Sequence, residues 1–212
     1  MALIYYLVSL DQLPDEEVAQ LAAETDAHSH PSGVLKNCFG IDNTKKLNDV
    51  EKDIVALNLP DLALLKNHCD KAHLQHIHRT LFQGIYPWAG EWRTVTFAKG
   101  EDLFLPAHRI SSALDRLFQA LAEAQFWQSL ELSEFHLQAA DFFATLNYIH
   151  PFREGNGRAQ REFLRNLYEK KNLKLVWDAV GDSAMIAAMQ AARQGDLQPL
   201  TAILRLNSHS IF

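Results

Sequence analysis

Two cysteines in 212 residues, Cys38 and Cys69, are too few for a disulfide framework, and in a cytosolic chain they are expected as reduced, packed thiols. No apolar run approaches the roughly 20 residues of a membrane-spanning helix. The opening stretch MALIYYLVSL stops at ten and lacks the basic start and small-residue cleavage site of a secretion signal. Basic charge is scarce: 20 Lys and Arg face 26 Asp and Glu, a net −6 that argues against a general nucleic-acid binder. Also missing are Pro/Gly/Ser-rich linkers, charge blocks and internal repeats. These absences predict a single domain over 1–212, cytoplasmic and without a membrane or nucleic-acid partner, whose 48% hydrophobic content is ample for one core.

What is present concentrates in the last third of the chain. Phe135, Ala139, Phe142, Leu146 and Ile149 recur at spacings of 4, 3, 4 and 3, the period of a helix burying one face, over 134–149. Pro151 disfavours helical geometry at the residue before it, so the helix ends at His150 and delivers an imidazole to a loop. Gly155 and Gly157 let backbone amides approach an oxyanion, and a second helix, from about Gly157 to Lys170, points its positive end at the same spot. Arg158, Arg161 and Arg165 fall on it at i, i+3 and i+7. Cations in the first turn of a helix oppose its dipole by about 0.3–1 kcal/mol each, so the arrangement asks for an anion. A triphosphate fits the request.

Elsewhere, Thr94 to Ala98 is β-prone, Lys99-Gly100-Glu101-Asp102 reads as a turn, and Leu103-Phe104-Leu105 reads as a return strand ending at Pro106: a hairpin in an otherwise helical chain. Cys69, His73 and His76, with His78 nearby, have zinc-like spacing on one helical face. They sit among Leu64, Leu65, Leu74, Ile77 and Leu81 and no fourth ligand comes from a neighbouring motif, so the expectation is an amphipathic helix and no metal there.

The stretch HPFREGNGRAQR, from His150 to Arg161, resembles the Fic motif H-x-F-x-(D/E)-G-N-G-R-x-x-R at every defined position. HIHRTLFQGIYPWAGEWRTV (His76–Val95) is similar to that family's approach to its flap hairpin, VLKNCFGI (Val34–Ile41) to its N-terminal part, and GDLQPLTAILR (Gly195–Arg205) to its last helix. The resemblance covers about residues 30–206, with 1–29 as a peripheral extension. It implies a mainly α fold, a Fic-type helical bundle with a small β-hairpin flap beside the active site. It further implies transfer of AMP from ATP to a Ser, Thr or Tyr hydroxyl of a protein, with release of pyrophosphate.

Residue by residue, the resemblance implies His150 as general base, for which an imidazole pKa near 6.5 is suited. Phe152 is implied as a core anchor and Glu154 as the Mg²⁺ ligand. Arg153, Gly155, Asn156, Gly157, Arg158 and Arg161 are implied to bind the nucleotide phosphates, with Asn156 adding a side-chain donor and Arg161 nearest the γ-phosphate. The flap, Thr94, Val95, Thr96, Phe97, Ala98, Lys99 and Gly100, is implied to align a target segment as an added strand. Many Fic proteins carry an inhibitory pattern, (S/T)-x-x-x-E-(G/N), whose glutamate pairs with the second arginine. No glutamate from Glu16 to Glu169 follows a Ser or Thr at that distance, so the expected brake is a separate antitoxin, or none. A toxin or a host-delivered effector fits that expectation. The alternatives are a Fic-fold enzyme using UTP, GTP or a phosphocholine donor, and a nucleotide-binding interaction module of little activity.

Overall fold

In the computed structural model, residues 26–65, 67–96, 98–99 and 102–211 are described. Residues 1–25 of the expected N-terminal extension, and Phe97 and Gly100 of the expected flap, lie outside that set.

The chain is mainly helical. Helix α1 (Thr44–Asn58) opens under an Asn43 cap, whose side chain accepts from the Lys46 amide, and runs into a 3-10 turn at Leu59–Leu64 with proline in its first positions. Helix α2 (Lys71–Phe82) starts under Asp70, which accepts from the His73 amide at 2.7 Å. This corrects the expected histidine-bearing helix. The turn ends at Leu64, Cys69 has φ 52°, and only from Lys71 onward does i, i+4 geometry hold, so Cys69 is not on one face with the histidines. His73 Nε2 meets Asn166 and Cys69 donates to Asn67.

Strands β1 (Ala98–Lys99) and β2 (Asp102–Leu103) pair antiparallel, Ala98 opposite Leu103, and form the hairpin. Its stems are shorter than expected, whereas Lys99 and Asp102, expected in the turn, pair with each other. Thr96 and Val95 use their polar atoms elsewhere, Thr96 Oγ1 accepting from the Ala107 amide and the Val95 carbonyl from Arg93, while the Leu105 amide donates to Tyr148. Helices α3 (Ile110–Glu123), α4 (Leu132–Ile149) and α5 (Asn156–Lys170) follow, then β3 (Leu173–Leu175), α6 (Asp182–Arg193), α7 (Gln198–Leu206) and β4 (Ser208–Ser210), which pairs antiparallel with β3.

Helix α4 is the spine. Phe135, Ala139, Phe142, Leu146 and Ile149 are all buried, and so are Ala140, Phe143 and Tyr148 on its other faces, because α3, α5, α6 and α7 all pack around it. Full burial of a Phe or Leu side chain is worth about 1.5–3 kcal/mol, so this one helix anchors the bundle and holds its C-terminal end rigid. That end carries His150.

Candidate functional site

The turn between α4 and α5 begins with a residue in an uncommon conformation. His150 caps α4 in the left-handed region, φ 46° and ψ 61°, its amide bonding Leu146 and the chain swinging into Pro151 as expected. A non-glycine residue held there stores strain of about 1–3 kcal/mol, which persists only if its surroundings enforce it. Here Nδ1 lies 3.1 Å from the Asn147 carbonyl, which fixes the Nδ1–H tautomer and makes Nε2 the basic nitrogen. Phe104 stacks on the imidazole at 3.8 Å between centroids and 21° between planes.

The loop then folds around Phe152, which is fully buried and stacked on His78 at 3.8 Å. His78 is itself a brace: its Nδ1 accepts from the Gly90 amide and its Nε2 donates to the Glu154 carbonyl. Burial pushes its pKa down to about 3, so it stays neutral and keeps that tautomer.

Asn156 turns inward. Its side chain is 3% exposed, accepts from the Phe152 amide at 2.9 Å and donates to the Phe152 carbonyl at 2.7 Å. It staples its own loop, its side-chain oxygen and one amide proton both committed to Phe152; the short i, i−4 reach wins. Helix α5 starts at Asn156, one residue before the expected Gly157, because Gly155 takes the cap position at φ 78°. A Cβ on Gly155 would stand 2.2 Å from the Phe82 ring, whereas one on Gly157 would meet only Arg161 Nη1 at 3.8 Å. Gly155 is therefore required by packing as well as by φ. Gly157 faces open space.

The arginines divide by role. Arg153 reaches back to the N-terminal side and pairs with Asp26 at 2.7 Å, a contact across 127 residues, with Ser29 alongside. Arg158 lies over the Phe82 ring and pairs with Glu51 at 2.5 Å and Glu154 at 3.5 Å. Glu51, from α1, is 6% exposed and also accepts from the Tyr86 hydroxyl. Arg165 pairs with Glu162 at 2.6 Å. Arg161 alone of the α5 arginines makes no side-chain hydrogen bond or ion pair among the described residues. It lines a cavity of about 230 Å³ with Trp177, Asp178, Val180, Asp182 and Met185. Burial holds its pKa below the ordinary arginine value; the Asp182 carboxylate opposes that, and Arg158 and Arg165 add to it.

Glu154 is exposed at the mouth of the loop, with Oε1 accepting from the Gly155 amide at 2.8 Å. Thr94, Val95, Thr96, Ala98 and Lys99 lie on the segment leading into and forming β1, and Phe104, just beyond β2, reaches His150. Glu51, Tyr86, His78, Arg93 and Phe104 have no site role in the sequence reading, because each meets the motif across a long separation.

Comparison with known proteins agrees with this geometry. The Fic/DOC family model matches residues 68–168. A probable protein adenylyltransferase of Sinorhizobium fredii, y4lH, is 35% identical over 173 residues, 81% of this chain and 90% of the relative. The protein adenylyltransferase VbhT of Bartonella schoenbuchensis is 32% identical over 185 residues, 86% of this chain but 39% of the longer protein, so the chain spans well under half of that relative. Among solved structures, BepC, a VirB-translocated effector of Bartonella tribocorum crystallised with AMPPNP, superposes with a TM-score of 0.77 at 26% identity, covering 86% of this chain and 95% of that one. The bundle with a hairpin beside a histidine–glycine loop defines a Fic fold. The chain belongs to the Fic/DOC family.

No helix among the described residues is long and apolar enough to cross a membrane.

Proposed function

We propose that this chain transfers AMP from ATP to a Ser, Thr or Tyr hydroxyl of a protein. The observation that carries the reading is Arg161, a half-buried cation with no direct ion pair among the described residues, which lines a cavity, has its Nη1 near Gly157, and stands on the helix that follows a histidine whose Nε2 is its basic nitrogen. The adenylyltransferase names of the relatives and the AMPPNP bound to BepC support the same donor chemistry.

His150 Nε2 takes the proton from the target hydroxyl. The freed oxygen attacks the α-phosphorus, the bond from that phosphorus to the α–β bridging oxygen breaks, and pyrophosphate leaves. Arg161 and the backbone amides at the start of α5 stabilise the phosphate charge, while Arg158, anchored by Glu51, fixes the loop wall beside them. Arg153 is tied to Asp26, which makes it a brace of the loop in this reading.

An exposed carboxylate next to a phosphate site suits Mg²⁺, which binds through one or two carboxylates plus substrate phosphates; Glu154 would hold it, and it would neutralise phosphate charge. The hairpin at Ala98–Lys99 receives the target segment by strand addition. The protein acts in the cytoplasm, of its own cell or of a host into which it is delivered.

Incubation with a cell lysate and ATP labelled at the α or the γ position tests the reaction. Label should reach protein from the α position only. Label arriving from the γ position identifies a kinase; none from either identifies a binding module; competition by UTP or GTP identifies another nucleotide donor.

Regulation follows from Arg161. We propose that inhibition acts in trans, through a partner glutamate seated on this arginine, as in a toxin held by its antitoxin. The purified chain should then label lysate proteins with no added factor. Silence from a protein that binds ATP would show an internal brake.

A further inference from the structure

The hairpin and the base are physically one unit. Arg93, 2% exposed, sits beneath both feet of the hairpin and beneath the end of α4. Its guanidinium donates to the Val95 carbonyl at 2.6 Å on the way in, to the Leu105 carbonyl on the way out, to the His150 carbonyl at 2.7 Å and to the Ile149 carbonyl at 3.1 Å. Its own amide donates to Pro151 at 2.8 Å. Those carbonyls belong to the three segments that must stay in register: the two flap stems and the strained turn carrying His150. On the opposite side, Phe104 lies flat on the imidazole. Phe104 is held in turn by Arg193, whose guanidinium stands 5.4 Å from its ring and donates to the Leu103 carbonyl at 3.1 Å.

We propose that Arg93 and Phe104 are positioning residues for the transfer. Arg93 fixes the backbone of His150 relative to the hairpin, and Phe104 fixes the plane of its ring, so that a target segment docked on the hairpin presents its hydroxyl to Nε2. A planar guanidinium is the group for this task, because its donors diverge in one plane toward several acceptors, while a lysine ammonium offers one point. The stacked ring completes what the Nδ1–H bond to Asn147 begins: one restrains the edge of the imidazole, the other its face. The inference rests on reading His150 as the base.

Three substitutions decide it: Phe104→Leu, which keeps apolar volume without a ring, Phe104→Tyr, which keeps the ring, and Arg93→Lys, which keeps the charge without the fork. Each is compared with wild type at a temperature where circular dichroism shows it folded. Transfer from α-labelled ATP to lysate protein is measured at saturating ATP, together with the KM for ATP. A misplaced base costs on the order of 10²-fold. Phe104→Leu and Arg93→Lys should lose at least tenfold in rate, with the KM for ATP unmoved, and Phe104→Tyr should keep the wild-type rate. The His150 ring-proton resonance, identified by its loss in His150→Ala, should shift in Phe104→Leu and stay in Phe104→Tyr.

Wild-type rates in the leucine and lysine variants would overturn the proposal, as would an equal loss in Phe104→Tyr. If wild type transfers no label, or His150→Ala transfers it fully, the functional reading has failed instead. The resonance then judges the stacking on its own, and an unmoved signal in Phe104→Leu refutes it.

Discussion

Replacing His150 by alanine is expected to cut AMP transfer by about 10²–10⁴-fold, the usual contribution of a general base, while ATP still binds. The separation of the two effects follows from geometry. His150 sits at the end of α4, held by Asn147 and Phe104, whereas the phosphate loop and Arg158 are braced independently by Asn156, His78 and Glu51, and Arg161 stands on α5. Titration with a non-hydrolysable ATP analogue, beside a transfer assay, measures both. Wild-type transfer by the alanine variant would assign the base elsewhere. A companion effect on stability is expected because His150 is left-handed. His150→Gly should unfold at a higher temperature than His150→Ala by relief of about 1–2 kcal/mol of strain, and be just as inactive.

Gly155→Ala should be the most destabilising single methyl that this loop can receive. The added Cβ meets the Phe82 ring at 2.2 Å and must also adopt φ 78°. Overpacking costs about 1–3 kcal/mol and the left-handed conformation about 1–2 kcal/mol, for a total of about 2–5 kcal/mol. At roughly 2–4 °C per kcal/mol for a chain of this size, the thermal midpoint should fall well outside error. Gly157→Ala is the control, since its Cβ has only the end of the Arg161 side chain nearby. It should fold as wild type does, and any defect should be in nucleotide use. Equal midpoints for the two alanine variants would mean that Phe82 does not close on Gly155. Phe82→Leu combined with Gly155→Ala should recover the packing share of the loss and leave the conformational share.

How far the site could be read from sequence depended on whether its interactions are local. Helix α4 and its end at His150 were legible, because a 4, 3, 4, 3 apolar period and a following proline are local signals. The hairpin was legible in place but not in length: its stems give their polar atoms to Arg93 and Ala107, partners that strand propensity cannot register. The side chain of Asn156 turns back onto Phe152, a direction that spacing alone does not give. The amphipathic helix expected from Leu64 to Leu81 is two elements, because Asp70 starts α2, and the apolar residues Leu64 and Leu65 before that cap belong to the end of the preceding 3-10 turn. Glu51, Tyr86 and Arg93 were invisible for a different reason. Each meets the motif only in three dimensions, and a single chain carries no pairwise signal of such meetings.

The Asp26–Arg153 and Glu51–Arg158 pairs also dictate an order of assembly. On the ribosome, the acidic partners emerge long before the arginines they await, one of them 127 residues earlier. Closing such distant contacts is entropically slow compared with winding α4 or α5, which use near neighbours. The front segment can meet residues 81–91 early, through Cys38 to Ile85, Glu51 to Tyr86 and Trp88 to Lys36, but its two ion pairs wait until the glycine loop has been synthesised. A nascent chain stalled before Arg153 holds neither ion pair nor a phosphate loop, and both are completed in the same stretch of translation.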